Sequence, residues 1–170
     1  MEFPCTRRRF LQTGLMGLGM LSLPALSRRG WAQAVHFGLV RPTPAVFYTV
    51  LANGNLRCDL CPRHCEVMDG DRGECGVREN RKGQYVTLAY SNPCAVHIDP
   101  IEKKPLLHVL PGTDSYSLAT AGCNLHCKFC QNWEISQARP EETYNFDLSP
   151  AAIVQAAQRT GCPSIAHTYV

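Results

Sequence analysis

Alternating side chains predict one strand of the chain, and two further segments are candidate strands. Residues Gln84 to Tyr90 alternate between two sets of side chains, as a strand with two different faces does. A second candidate strand runs from Cys94 to Ile98 after an Asn-Pro turn, and we expect the two to form a small antiparallel sheet. Tyr116 to Ala121 is a third short strand, built from small and medium-sized residues.

A helix and one more strand follow near the end of the sequence. Ser149 suits an N-cap and Pro150 the first helical position, so we predict a helix over Ala151 to Arg159 that Gly161 ends. Ser164 to Val170 has the composition of the next strand. Strand, helix and strand in this order predict one βαβ unit, the beginning of a parallel barrel. The remaining barrel strands are absent, so the barrel is predicted to be incomplete.

Residues 35–57 carry linker and turn signals. The run Arg41-Pro42-Thr43-Pro44 is stiff, because each proline fixes its φ angle. Val46 to Leu51 suits a short helix or a short strand, and Asn53-Gly54-Asn55 predicts a turn. Nothing in this segment suggests chemistry.

The first 34 residues have the character of an export signal. Thr6 to Gln12 resembles the twin-arginine translocation motif, with paired arginines, one free position and Phe-Leu. The apolar stretch from Leu11 to Leu26 is too short and glycine-rich for a stable membrane span, and Ala32-Gln33-Ala34 supplies a cleavage site. A general secretory signal and an uncleaved anchor are the alternatives. We predict export to the periplasm or cell envelope if the signal is used, and a cytoplasmic protein otherwise.

Composition excludes some classes of protein. With 45% hydrophobic residues, the chain has a globular composition. Its net charge of +3 owes much to arginines in the first 29 residues, so the folded part is near neutral. We therefore predict no nucleic-acid surface.

Ten cysteines fall mainly into two tight groups. Residues 58, 61, 65 and 75 form one group and residues 123, 127 and 130 the other, while residues 5, 94 and 162 stand alone. Disulfide frameworks usually connect distant segments, and seven clustered cysteines cannot all pair. Gaps of two and three residues favour metal ligation instead. Cys94 is predicted to be a buried small apolar residue.

The second group has the spacing C-x3-C-x2-C and is formed by Cys123, Cys127 and Cys130. Four-iron clusters usually take four thiolates, so a loop with three leaves one iron open. Open positions are typical of reactive metal sites, whereas closed ones are structural. A zinc site with His126 as the fourth ligand is the alternative. It is awkward, because adjacent residues rarely reach one metal.

This loop resembles the cluster-binding loop of the radical S-adenosylmethionine (SAM) enzymes, with aromatic Phe129 just before the third cysteine. The runs Asp99 to His108 and Leu110-Pro111-Gly112, with Gln131-Asn132-Trp133 after the loop, are similar to one branch. That branch is the AmmeMemoRadiSam-system radical SAM enzymes, which are similar to pyruvate formate-lyase activating enzymes. The resemblance covers about residues 45 to 170.

The resemblance implies a mechanism and its residues. Cys123, Cys127 and Cys130 would hold a [4Fe-4S] cluster whose open iron chelates SAM. Reductive cleavage would give methionine and a 5′-deoxyadenosyl radical that takes hydrogen from the substrate, for instance a glycine of a partner protein. Phe129 would lie near the adenine and Asn132 would help to position SAM. A low-potential electron donor is the implied partner.

Purely structural roles remain open for several of these residues. Phe129 and Trp133 also suit core positions, since large rings are mostly buried. His97 and His108 lie in apolar runs and are predicted to be core histidines. The basic pair that follows Pro100 is a constrained loop to which the sequence assigns no role.

The first group, Cys58, Cys61, Cys65 and Cys75, has a complete ligand set. Four thiolates can close around one zinc ion or hold a second iron–sulfur cluster, and we favour structural zinc. Two disulfides are the third alternative. A glycine turn over residues 69–73 can fold Cys75 back onto the other three, and His64 is predicted at the surface.

We therefore predict an α/β protein. Residues 1–34 form the signal, residues 35–57 an approach segment, and residues 58–112 a β-rich cysteine module with a small antiparallel sheet. Residues 113–170 begin a radical SAM partial barrel, and the chain is predicted to be the N-terminal part of a longer enzyme. The alternatives are a non-catalytic metal-binding or iron–sulfur fragment and an electron carrier.

Overall fold

The structure is a computed structural model that describes residues 34–168, which lie within one unit from Ala32 to Val170. This part of the chain is mixed and strand-rich, with few helices. The strands are β1 (Val35–Phe37), β2 (Thr43–Pro44), β3 (Tyr48–Val50), β4 (Leu56–Cys58), β5 (Glu66–Val67), β6 (Arg78–Arg81), β7 (Gln84–Thr87), β8 (Ala95–Pro100), β9 (Asp114–Ala119), β10 (Tyr144–Phe146) and β11 (Ser164–Thr168). The α-helices are α1 (Trp133–Ser136) and α2 (Pro150–Thr160), and short 3-10 helices cover Ile101–Lys103 and Pro140–Glu142.

The predicted signal peptide falls almost entirely outside the described residues. Within residues 34–168, every helix is too short or too polar to traverse a lipid bilayer.

A three-stranded sheet with the order β11-β9-β8 positions the second cysteine group. β9 is central, because it pairs antiparallel with β8 and parallel with β11. Leu118, near the end of β9, pairs with Val96 on one side and with His167 on the other. The predicted strand–helix–strand unit is therefore confirmed, with β9 beginning two residues earlier than the apolar pattern indicated.

Helix α2 begins and ends where its capping residues predict. The Ser149 hydroxyl accepts a hydrogen bond from the Ala152 amide at 3.3 Å, and Pro150 occupies the first turn. Gly161 ends the helix with a left-handed φ of 74°, a conformation that costs glycine little. One face of α2 buries Ile153 and Ala157 on the sheet. The core cluster there consists of Tyr116, Leu118, Leu148, Ile153, Ala157 and Cys162.

The predicted pairing of Gln84–Tyr90 with Cys94–Ile98 is wrong. β7 instead forms a sheet with β6 and β2, whereas β8 joins β9. A two-residue loop, Lys82-Gly83, closes the β6–β7 hairpin with both φ angles positive, so the nearer partner is also the sterically suited one. After β7, the Asn92 side chain donates to the Leu88 carbonyl at 2.8 Å and bends the chain toward the other sheet.

The approach segment takes part in the sheets. β1 pairs with β10, β2 pairs with β7, and β3 pairs with β4. The strand alternative is therefore the one observed for Val46 to Leu51. The turn at Asn53 is confirmed, because the Asn55 amide donates to its side-chain oxygen at 3.1 Å.

The two histidines predicted in the core are exposed, so that prediction is wrong. His97 alternates with Val96 along β8, and only Val96 faces the core beneath α2. His108 lies in an exposed loop over residues 105–110, where the apolar run forms neither a strand nor a helix. His64 lies at the surface, as predicted.

Shortening Ile153 should destabilise the unit strongly. Ile153→Ala leaves a cavity between α2 and β9, and we expect the free energy of unfolding to fall by about 2–4 kcal/mol. The matched control is Val154→Ala on the exposed face of the same helix, which should change it by less than about 0.5 kcal/mol. Urea denaturation followed by circular dichroism measures both, and equal effects would contradict the described packing of α2.

Candidate metal centre

The C-x3-C-x2-C loop begins where β9 ends. Ala119 is the last residue of β9, and Cys123 follows four positions later in a segment without regular structure that continues to α1. Within the loop, the Cys130 amide donates to the Cys127 carbonyl at 3.1 Å, which turns the chain and brings the second and third cysteines together. The thiols therefore lie beyond the carboxyl end of a strand that has a parallel neighbour, where reactive loops of α/β proteins usually lie.

The three loop thiols are accessible. Cys123, Cys127 and Cys130 are partly exposed, and none of the described cysteines forms a disulfide. Phe129 is 87% exposed and Trp133 is 53% exposed, so the alternative that they are core aromatics is wrong. Both rings are therefore largely exposed to solvent.

Helix α1 closes the loop from its other end. The Gly122 amide donates to the Ile135 carbonyl at 2.9 Å, which ties the start of the loop to the helix. The Ser136 hydroxyl lies 3.4 Å from the Cys130 sulfur, and Ser136 is only 2% exposed. Ser136 belongs to no sequence motif, so only the fold reveals its position beside Cys130.

The first cysteine group surrounds the end of a small sheet. Cys58 ends β4, and its amide donates to the Cys65 carbonyl at 2.9 Å. The Arg78 guanidinium donates to the Cys58 sulfur at 3.4 Å. Burial tends to raise the pKa of the Cys58 thiol, but contacts with Tyr85, the Leu60 amide and Arg78 lower that pKa overall.

The glycine turn brings Cys75 back to this group. Burial raises the pKa of the Cys75 thiol, and the nearby thiols of Cys58 and Cys65 raise it further. A Cβ added at Gly73 would lie 3.8 Å from the Cys65 sulfur, which shows how closely the turn passes it. Cys61 is partly exposed in the loop between β4 and β5.

The two cysteine segments are in direct contact through Gly122. A Cβ added there would lie 2.4 Å from the Cys75 carbonyl oxygen and 2.6 Å from Cγ1 of Val77. The φ angle of Gly122 is 91°, which also favours glycine. Only a residue without a side chain therefore allows the loop to lie against the Cys75 backbone.

Polar contacts reinforce this junction from both segments. The Arg63 side chain, between Cys61 and Cys65, donates to the Asn124 carbonyl. Glu74, which precedes Cys75, pairs with His126 at 2.7 Å, and the other ring nitrogen of His126 lies 2.6 Å from the Gln137 amide oxygen. Contact with Glu74, and then with Gln137, raises the pKa of His126. His126 is thus engaged in the junction between the two cysteine segments.

A cavity of about 620 Å³ opens along the junction, and its lining includes both Cys75 and Cys123. Arg72 crosses one wall, paired with Glu79 at 3.0 Å and with Glu141 at 2.6 Å. Space is therefore available beside one thiol of each group.

A second cavity, of about 550 Å³, lies on the polar face of the β11-β9-β8 sheet. Gln131 and Asn132, directly after the third loop cysteine, contribute to its wall. Asp99 on β8 receives hydrogen bonds from Lys103 at 2.8 Å and from Lys104 at 3.0 Å. These ammonium groups hold the pKa of the Asp99 carboxyl well below its usual range.

Within residues 34–168, no group of three or more histidine, cysteine, aspartate or glutamate side chains is arranged as a finished site for one metal ion. The donor chemistry of the loop nevertheless fits an iron–sulfur cluster. Three free, partly exposed thiols lie on one short loop, and Ser136 stands beside the sulfur of the third.

Comparison with known proteins shows two archaeal relatives. Uncharacterized protein MJ0808 of Methanocaldococcus jannaschii is 47% identical over 125 residues, which cover 74% of this chain and 38% of that protein. Uncharacterized protein MJ0674 of the same organism is 30% identical over 87 residues, 51% of this chain and 21% of that protein. The chain thus spans well under half the length of these curated relatives. No family model and no solved structure matches it.

Replacing Gly122 should disturb the junction far more than replacing another left-handed glycine. Gly112 has a φ of 72° with open space where a Cβ would lie, so Gly112→Ala reports the backbone strain alone, about 1 kcal/mol. We expect Gly122→Ala to cost at least about 3 kcal/mol, because the clash adds to that strain. Urea denaturation measures both variants, and a similar loss in each would argue against the contact.

Stability should depend on Asp99 in a way that changes with pH. Asp99→Asn leaves Lys104, whose side chain is 17% exposed, without its anionic partner, and we expect a loss of about 2 kcal/mol at pH 7. The pKa of the Asp99 carboxyl is lower in the folded protein than in the unfolded chain, where it is about 3.9. The extra stability of the wild type is therefore fully present above that unfolded-state pKa, and it is lost as the pH falls through the folded-state pKa. Denaturation of both proteins from pH 7 down to pH 2 should show a stability difference that is constant above about pH 4 and narrows below it, whereas a difference that stays constant down to pH 2 would refute an electrostatic origin.

Proposed function

We propose that this chain carries the cluster-binding part of a radical SAM enzyme, at the start of a partial (β/α) barrel. The observation that supports it best is the position of the C-x3-C-x2-C loop. Three free thiols follow directly after β9, whose parallel neighbour is reached through α2. The loop and the cavity beside it lie at the carboxyl ends of these strands, where α/β enzymes bind their ligands.

In this proposal Cys123, Cys127 and Cys130 hold a [4Fe-4S] cluster and leave one iron for SAM. Such a cluster, when bound and reduced, supplies the electron that cleaves SAM into methionine and a 5′-deoxyadenosyl radical, which abstracts hydrogen from a substrate. The Ser136 hydroxyl, 3.4 Å from the Cys130 sulfur, would donate to it and so raise the reduction potential.

Other residues of the loop would bind the cosubstrate. Phe129 offers an exposed ring to the adenine, and Asn132 lies in the wall of the neighbouring cavity, within reach of a ligand there. A low-potential electron donor would be the partner, and a protein with a reactive glycine is one candidate substrate.

The first cysteine group has a structural role in this proposal. Cys58, Cys61, Cys65 and Cys75 would hold zinc or a second cluster and brace the turn that Gly122 contacts. The brace would fix the loop against the sheet before SAM binds.

A second candidate is a metal-binding segment without turnover of its own. It is favoured by the first cysteine group, whose four thiols form a complete ligand set for a structural metal ion.

Anaerobic reconstitution with iron and sulfide, followed by a SAM-cleavage assay with dithionite, tests the proposal. We expect about four iron atoms at the loop and formation of 5′-deoxyadenosine. Cys127→Ser should reduce product by at least about a hundredfold, because it removes a thiolate ligand. Cys94→Ser, which lies outside both cysteine groups in the sequence and can keep its hydrogen bond to the Ala119 carbonyl, should behave like wild type.

The other outcomes separate the alternatives. A loop cluster without 5′-deoxyadenosine would favour the segment without turnover, or an electron carrier. Zinc at both cysteine groups, with no sulfide retained, would refute the iron–sulfur assignment. Cys61→Ser should cost one metal site but leave the loop thiols to bind iron, which distinguishes the two groups by metal content alone.

A further inference from the structure

The cavity on the polar face of the β11-β9-β8 sheet has the size and position of a small-molecule site. Its volume of about 550 Å³ lies within the range of about 300–1,000 Å³ that such sites occupy. Alternate residues of the paired strands form its floor, among them Ser117 of β9 and Ala166 of β11, which are register partners. Gln131 and Asn132 place it directly after the cluster loop.

The charge of this cavity is not balanced. Among the described residues that line it, Asp99 is the sole acid, whereas Lys103 and Lys104 are both cationic, which leaves one positive charge in excess. His97, on the same face of β8 as Asp99, adds a ring that can donate a hydrogen bond. The lining therefore suits an anionic ligand.

Asp99 positions both lysines but leaves hydrogen-bond donors on each ammonium group. Asp99 is 8% exposed and fixes each ammonium group through one carboxylate oxygen. Each ammonium group has three donors, so donors remain for a ligand. Lys103 is well able to turn toward one, because its side chain is 68% exposed and an ion pair so exposed is worth little.

We propose that this cavity binds the substrate through a carboxylate or phosphate group held by Lys103 and Lys104. That the ligand is a substrate rests on the proposed radical SAM function, whereas the anion site itself rests on the cavity and its charge. The site would hold the substrate beside the loop that generates the radical, with Asp99 keeping both ammonium groups directed at the anion.

Titration of the iron-free 170-residue chain tests the anion site without the cluster. Malonate and inorganic phosphate serve as probes in isothermal titration calorimetry at fixed ionic strength, and malonamide is the neutral control of the same shape. We expect binding of at least one anion and none of malonamide. Lys103→Gln and Lys104→Gln should each weaken anion binding by about tenfold or more.

Lys82→Gln is the matched control, since it removes the same charge from the exposed β6–β7 hairpin and should leave anion binding unchanged. Absence of anion binding, or equal weakening in all three variants, would overturn the anion site. If circular dichroism shows that Lys104→Gln does not fold, the titration of Lys103→Gln, a change at an exposed side chain, still tests the anion site.

SAM also carries a carboxylate, so a second titration separates the two sources. In the reconstituted chain, simultaneous binding of malonate and SAM supports a substrate site. Mutual exclusion, with SAM affinity falling in the lysine variants as malonate affinity does, would assign the lysines to the cosubstrate and overturn the substrate assignment. Failure of cluster formation would refute the proposed function but leave the iron-free titration intact.

Discussion

The approach of the Gly122 backbone to the Cys75 carbonyl is the constraint on which the candidate centre depends. It joins two segments that lie far apart in sequence and that both carry clustered cysteines. A side chain at residue 122 would push the loop away from the turn, and the pairing of Glu74 with His126 would then lack its present geometry.

β9 connects the cysteine loop to the core and to the cationic cavity. On one face of the strand, Tyr116 and Leu118 share a core cluster with Ile153 and Ala157 of α2. Its other face carries small polar residues such as Ser117 and forms the floor of the cationic cavity. One strand thus places the cysteine loop at its end and the cavity on its face, so the two features have a fixed relation to each other.

The local signals in the sequence were sufficient for the helix and the parallel unit. Ser149, Pro150 and Gly161 act through their own backbone preferences, which do not depend on distant residues, and they fall where predicted. Strand pairing was harder, since alternation in Gln84 to Tyr90 identifies a strand but not its neighbour. The Lys82-Gly83 hairpin decides that pairing, because it places β6 directly beside β7.

The candidate site likewise contains residues that the sequence predicts and residues that only the fold reveals. Spacing identified the loop cysteines, because ligands in one loop are adjacent in sequence as well as in space. Ser136, the pairing of Glu74 with His126, and the basic cavity arise only when distant segments fold together. His97 was assigned to the core because it is flanked by apolar residues, yet period-two alternation places it on the opposite face.

One edge of the central sheet has a further consequence. Among the described residues β11 has β9 as its one neighbour, so the amides and carbonyls along its outer side have no partner strand. Such a border is a template for backbone pairing, whether by a later portion of a longer polypeptide or by a second copy. Concentrated preparations of the isolated chain are therefore prone to intermolecular β-association along β11, and a peptide that caps this border should act as a solubilising additive.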